Sequence, residues 1–120
     1  MKKLTLVVLI IIIGVFLAQY PKELKSLVPK IEFTELKQPL GLAIKDNYLF
    51  VADSANSRIQ VLKIGSNGNL SPQLSFGKAG KGLGEFGGEL NYFTFLIIKN
   101  YYLYISDTAN NRIQTLELKY

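Results

Sequence analysis

Hydrophobic and polar positions change rhythm sharply along this chain. From Leu4 to Pro21 the run LTLVVLIIIIGVFLAQYP contains no charged residue. A helix built from it is apolar on every face, unlike the stripe of a surface helix. It would extend about 27 Å at ~1.5 Å per residue, close to the ~30 Å hydrocarbon core of a bilayer. Lys2 and Lys3 precede it and favour a cytoplasmic amino end with the remainder exported. Residues 1–21 are therefore predicted to be an N-terminal membrane anchor or signal segment. Ala18 suits the end of a cleavage site, but Phe16 stands where a small side chain is wanted. The favoured reading is a single-pass anchor through residues 4–21 with an extracytoplasmic C-terminal domain. Secretion after cleavage is the alternative. Residues 22–30, charged and carrying Pro29, read as a linker.

Beyond residue 30 the rhythm shortens to that of β-strands. Residues 31–36 (IEFTEL) alternate at their start and predict a short strand. An apolar run at 41–45 meets Asp46-Asn47, both tolerant of positive φ in a tight turn. Aromatic and β-branched residues then fill 48–52, as strands prefer. A polar stretch at 53–57 turns the chain into 58–64. There Ile59 and Val61 share one face and Gln60, Leu62 and Ile64 the other. Asn67-Gly68 is a strong hairpin signal leading into 70–76. Three further strands are predicted at 94–99, 102–106 and 112–118, and no helical period is visible outside the anchor.

These strands repeat. LAIKDNYLFVADSANSRIQVL, from Leu42, matches LIIKNYYLYISDTANNRIQTL, from Leu96, at a shift of 54 positions. A period of this size points to a propeller or solenoid before any chemistry. The repeated core Asp53-Ser54-Ala55-Asn56-Ser57-Arg58-Ile59-Gln60 and Asp107-Thr108-Ala109-Asn110-Asn111-Arg112-Ile113-Gln114 resembles the NHL repeat, the blade unit of a β-propeller family. The glycine-rich stretch from Phe76 to Phe86 resembles that family's connection between blades. At the second unit's lead-in, Tyr92-Phe93-Thr94-Phe95 stands where the first has Gln38-Pro39-Leu40-Gly41, a departure from the family pattern. The fold class implied is all-β, a partial propeller of about two antiparallel blades in residues 31–120. Repeat 1 covers about 38–76 and repeat 2 about 92–118.

Composition narrows the chemistry. The chain has neither Cys nor His, so thiolate sites, Cys nucleophiles and histidine-dependent triads are excluded. Its net charge of +5 is scattered rather than striped, so no nucleic-acid partner is expected. Gly82-Leu83-Gly84-Glu85-Phe86-Gly87 satisfies a dinucleotide-binding spacing. No helix signal follows to face a pyrophosphate, so it reads as a flexible blade connection. Asp53, Asn56, Arg58, Asp107, Asn110 and Arg112 read as structural repeat-motif residues. Each carboxylate accepts N–H groups within its turn and pairs with arginine, while Asn56 and Asn110 take a left-handed backbone. A Ca²⁺ site built on them would need more oxygens than each turn supplies. The aromatics Tyr48, Phe50, Tyr92, Phe93, Phe95, Tyr101, Tyr102 and Tyr104 are expected to pack between blades.

A propeller needs 4–8 four-stranded blades. Fewer than two leave apolar sheet faces and strand edges open. The expectation is a non-catalytic binding module, without cofactor or metal, with a protein partner or self-association. In one arrangement residues 31–36 complete another copy's sheet and three chains form a six-bladed homotrimer. The alternative is a fragment of a larger propeller enzyme. The resemblance implies lyase- or lactone-hydrolase-like chemistry for such a protein, with its metal site elsewhere.

Overall fold

The repeated pattern of apolar runs and polar turns folds as two antiparallel sheets. The computed structural model describes residues 22–88 and 92–120. The predicted anchor at 1–21 lies outside the described residues. Among those described, no helix is long and apolar enough to cross a membrane. Two compact units are present, residues 1–30 and 31–120. Residues 22–30 of the first have no regular secondary structure and are exposed.

In the second unit, β1 (Pro39–Lys45), β2 (Tyr48–Asp53), β3 (Arg58–Ile64) and β4 (Leu70–Phe76) form a four-stranded meander in chain order. Asp46 takes φ 52° in the tight turn between β1 and β2, as the Asp-Asn pair predicts. The polar stretch after β2 winds into one 3₁₀ turn, Ser54–Asn56, closed by Ser57 at φ 50°. The left-handed residue is thus Ser57, and Asn111 at φ 55° in the second sheet. Asn56 and Asn110, expected to take that conformation, sit one residue earlier, where their amides are free to hydrogen-bond. Pro72 faces Leu62 beside a bulge on the edge strand β4, where no ladder N–H is required of it.

The chain then enters a short parallel pair, β5 (Lys78–Gly80) and β6 (Glu85–Gly87). The flexible connection predicted for this glycine-rich stretch is therefore an ordered element. Glu85 folds back so that its carboxylate accepts the Gly82 N–H at 3.1 Å, and Phe86 plunges into the core. Gly77, at φ 104°, is required here: a Cβ would lie 2.5 Å from the Phe86 ring.

The second sheet follows as β7 (Leu96–Lys99), β8 (Tyr102–Asp107) and β9 (Arg112–Glu117), again in chain order. Its 3₁₀ turn, Thr108–Asn110, reproduces the first. The predicted inner strand at 94–99 begins regular pairing at Leu96. Thr94 N–H to Ser106 O (3.0 Å) and Ser106 N–H to Phe95 O (2.9 Å) carry the contact back irregularly.

The sheets share one core of Phe50, Ala52, Ile59 and Val61 with Leu96, Leu103 and Ile105, joined by Phe86 and Phe93. The Phe86 and Phe93 rings stack at 4.8 Å. Close approach at the inner strands depends on Gly41, where a methyl group would strike the Thr94 carbonyl oxygen. The strand predicted at 31–36 is a correction: those residues are irregular, with Phe33 and Leu36 half-buried. Polar anchoring of the segment, described next, gives the reason.

Candidate interaction surface

Each 3₁₀ turn carries a buried carboxylate at its start. Asp53 and Asp107 have fully buried side chains, and their Oδ2 atoms accept Arg58 Nε at 2.7 Å and Arg112 Nε at 2.8 Å. Asn56 and Asn110 add an amide donor to the same oxygens, both at 2.9 Å. Each Oδ1 accepts a backbone N–H, but from outside the turn: Lys37 at 2.7 Å and Gly87 at 2.9 Å. Carboxylates here tie the incoming chain to the blade instead of capping their own turn. Burial alone would raise both carboxyl pKa values. The hydrogen bonds outweigh it and hold both below the ordinary 3.8, led by Lys37 N–H at Asp53 and by the Asn110 amide at Asp107. All six repeat-motif residues are therefore gathered into two three-residue clusters.

Gln60 and Gln114 extend the clusters. Gln114 Nε2 donates to Glu85 O at 2.7 Å and its Oε1 accepts Gly84 N–H at 2.9 Å, fastening the glycine-rich connection to the second sheet. Arg112 completes that clasp with the carbonyls of Lys81 (2.7 Å), Gly82 (2.7 Å) and Glu85 (2.9 Å). In the first sheet, the one carbonyl that Arg58 reaches among the described residues is that of Glu35, at 3.3 Å. The correspondence is close: Glu35 O stands where Glu85 O does, and Lys37 N–H where Gly87 N–H does. Residues 35–37 are thus the end of a blade connection, the counterpart of β6, and not an outer strand.

Pleating sorts the sheets into faces. The face of the first sheet that meets the second carries Ala43, Phe50, Ile59 and Val61. A shift of 54 positions maps these onto Ile97, Tyr104, Ile113 and Thr115, which line the outer face of the second sheet. There Ile97 and Ile113 are each 67% exposed. Conversely Leu96 and Ile98, turned towards the core, map onto Leu42 and Ile44 on the first sheet's outer face. Leu96 is 5% exposed and Leu42 63%. The second sheet therefore presents outward the equivalent of the face the first sheet buries, while on the first sheet's outer face Leu42 and Ile44 are exposed and Val51 and Leu62 are buried. Burying one such aliphatic side chain is worth about 2 kcal/mol.

A cavity of about 680 Å³ opens between the outer parts of the sheets, lined by Phe50, Val61, Leu74, Leu116, Leu118 and Tyr120 among others. It lies where β4 has no counterpart, since β9 is the edge of a three-stranded sheet. Of the eight aromatics expected between blades, Phe50 and Phe93 are buried and Tyr48 is half-buried. Tyr92, Phe95, Tyr101, Tyr102 and Tyr104 are exposed, since no further sheet covers them among the described residues. Phe86 and Gln114 were missed by motif reasoning. The signal available for Gln114 was its repetition with Gln60.

Two antiparallel meander sheets stacked face to face, joined by a glycine-rich connection and keyed by repeated Asp–Asn–Arg turns, are consistent with a partial β-propeller. The NHL repeat family model matches residues 36–62, so the chain carries an NHL repeat. The match falls on the first unit. The second is related to it by the sequence repeat and by the same strand order, turn and polar cluster. No curated protein matches the chain.

Proposed function

We propose that this protein is a membrane-tethered, extracytoplasmic binding module that engages protein through the outer faces of its NHL-type blades and catalyses no reaction. Exposure of Ile97, Ile113, Tyr102 and Tyr104 on one sheet face carries the reading. A contiguous apolar patch of this kind marks an interaction site, and the equivalent face of the first sheet is already buried against a blade. The charge-free run from Leu4 to Pro21, after Lys2 and Lys3, supports the tether and the exported orientation.

The test places a photo-cross-linking amino acid at Tyr104 of the full chain in its membrane. A covalent protein adduct at 104, and none at the hairpin residue Asn67, is the expected result. Labelling at 104 by solvent or lipid alone would defeat the proposal. Alkaline extraction of the same membranes tests the tether: the chain is expected to stay with the lipid.

A further inference from the structure

We infer that the occupant of the open face is a second copy of this chain, placed as the next blade, with its residues 22–26 added as a fourth strand along β9. The inference rests on the interaction reading above and names the partner.

The lead-in of the first unit carries the argument. Residues 35–37 hold the Asp53–Arg58 cluster as residues 85–87 hold Asp107–Arg112. In the second unit that lead-in follows an outer strand, β4, which ends at Phe76, nine positions before Glu85. The same spacing before Glu35 reaches Ser26. The shift of 50 positions that takes Glu85 to Glu35 takes 72–76 of β4 to 22–26, so the stretch 22–26 is where an outer strand of a preceding blade belongs. Its one apolar residue, Leu24, stands exposed between charged Glu23 and Lys25. Asp53 and Gln60 lie on the face of the first sheet turned away from the second. The preceding blade belongs on that side, against the exposed β1 residues Leu42 and Ile44, where the same chain's second sheet does not pack and Val51 and Leu62 are already buried.

Another copy's second sheet supplies what is missing. Its β9 is an edge strand bordering an apolar cavity, the setting in which an extended segment adds to a sheet. Leu24 then matches Leu74, which pairs with Val61, so it falls opposite Thr115. Lys22 and Lys25 flank it on an edge carrying Glu117. Leu42 and Ile44 of the incoming copy meet Ile97 and Ile113 of the first, as Leu96 and Ile98 share one core with Ala43 and Ile59 within one chain. One position differs. Phe95 stands at the equivalent of Gly41, so the contact is held wider at its inner edge. The interface is head-to-tail and repeats until a ring closes. Three copies supply six blades.

The chain contains no cysteine, which permits a direct test. Full-length Leu24→Cys and tagged full-length Thr115→Cys are solubilised separately in detergent, mixed and oxidised. Directly opposed strand residues lie within disulfide reach. The expected result is a reducible heterodimer at about ten times the yield obtained with Asn67→Cys as partner. Ile113→Lys added to the Thr115→Cys chain lowers the yield, and Phe95→Gly raises it. Equal yields for Thr115→Cys and Asn67→Cys, or no heterodimer, would overturn the inference. A protein adduct at 104 without the heterodimer overturns self-pairing alone and leaves the interaction reading standing.

Discussion

The two blades share one polar design but differ in how many backbone groups complete it. Arg112 touches three carbonyls of the glycine-rich connection, and Gln114 holds that connection from both ends of its amide. Arg58 touches one carbonyl, at a longer distance, and Gln60 turns instead to Leu74 O within its own sheet. The same residues at the same spacing thus do different amounts of work. What differs is the chain that arrives: a glycine-rich path through residues 77–88 to the second blade, and an irregular lead-in to the first. A repeat motif of this kind is a socket, and its contribution depends on what is plugged into it.

The largest test of that contrast is Phe86→Ala, which removes the large side chain that the glycine-rich connection sends into the core. It is expected to cost about 4 kcal/mol in urea denaturation followed by circular dichroism. A loss below 1 kcal/mol would mean that the connection decorates the core and does not belong to it. Next, Asp107→Ala is expected to cost about 3 kcal/mol, since it strands a half-buried guanidinium beside buried amides. Asp53→Ala is expected to cost less, about 2 kcal/mol, because fewer backbone groups depend on it. Equal losses would erase the distinction between the blades.

Acid sharpens the same comparison. Both carboxyl groups have folded-state pKa values below the ordinary 3.8, so their stabilisation is complete above that value. It is lost as pH falls from 3.8 through the lower folded values. The denaturation midpoint should hold steady above about pH 5 and drop in that window. The drop should be shallower in Asp107→Asn. The smallest effect is expected at Asn111, where a non-glycine residue holds φ 55° in an exposed position. Asn111→Gly should stabilise by about 0.5 kcal/mol, the relief of a left-handed side chain less the entropy glycine adds.

Much of each blade was legible in sequence. Strand β3 occupies 58–64 as read, because alternation of Ile59 and Val61 against Gln60 and Leu62 admits one pleat only. The Asp–Arg pairing was legible too, since both residues recur 54 positions apart at the ends of a polar turn. The lead-in was not. Residues 31–36 alternate like a strand, yet Glu35 O and Lys37 N–H are committed to side chains of the cluster, so that stretch has no ladder to join. Nor was the order in residues 77–88, where glycine count suggested slack. Those glycines instead provide positive φ and room for the Phe86 ring.

Sequence by itself determined the repeat, the strand order within each blade and the polar turns that key them. All of these follow from local period and from side chains that bond within a few residues. Only tertiary structure decided which faces are buried and which stand open. That choice depends on what lies across the sheet: Leu96 and Leu42 occupy the same repeat position, and a neighbouring blade covers one and not the other.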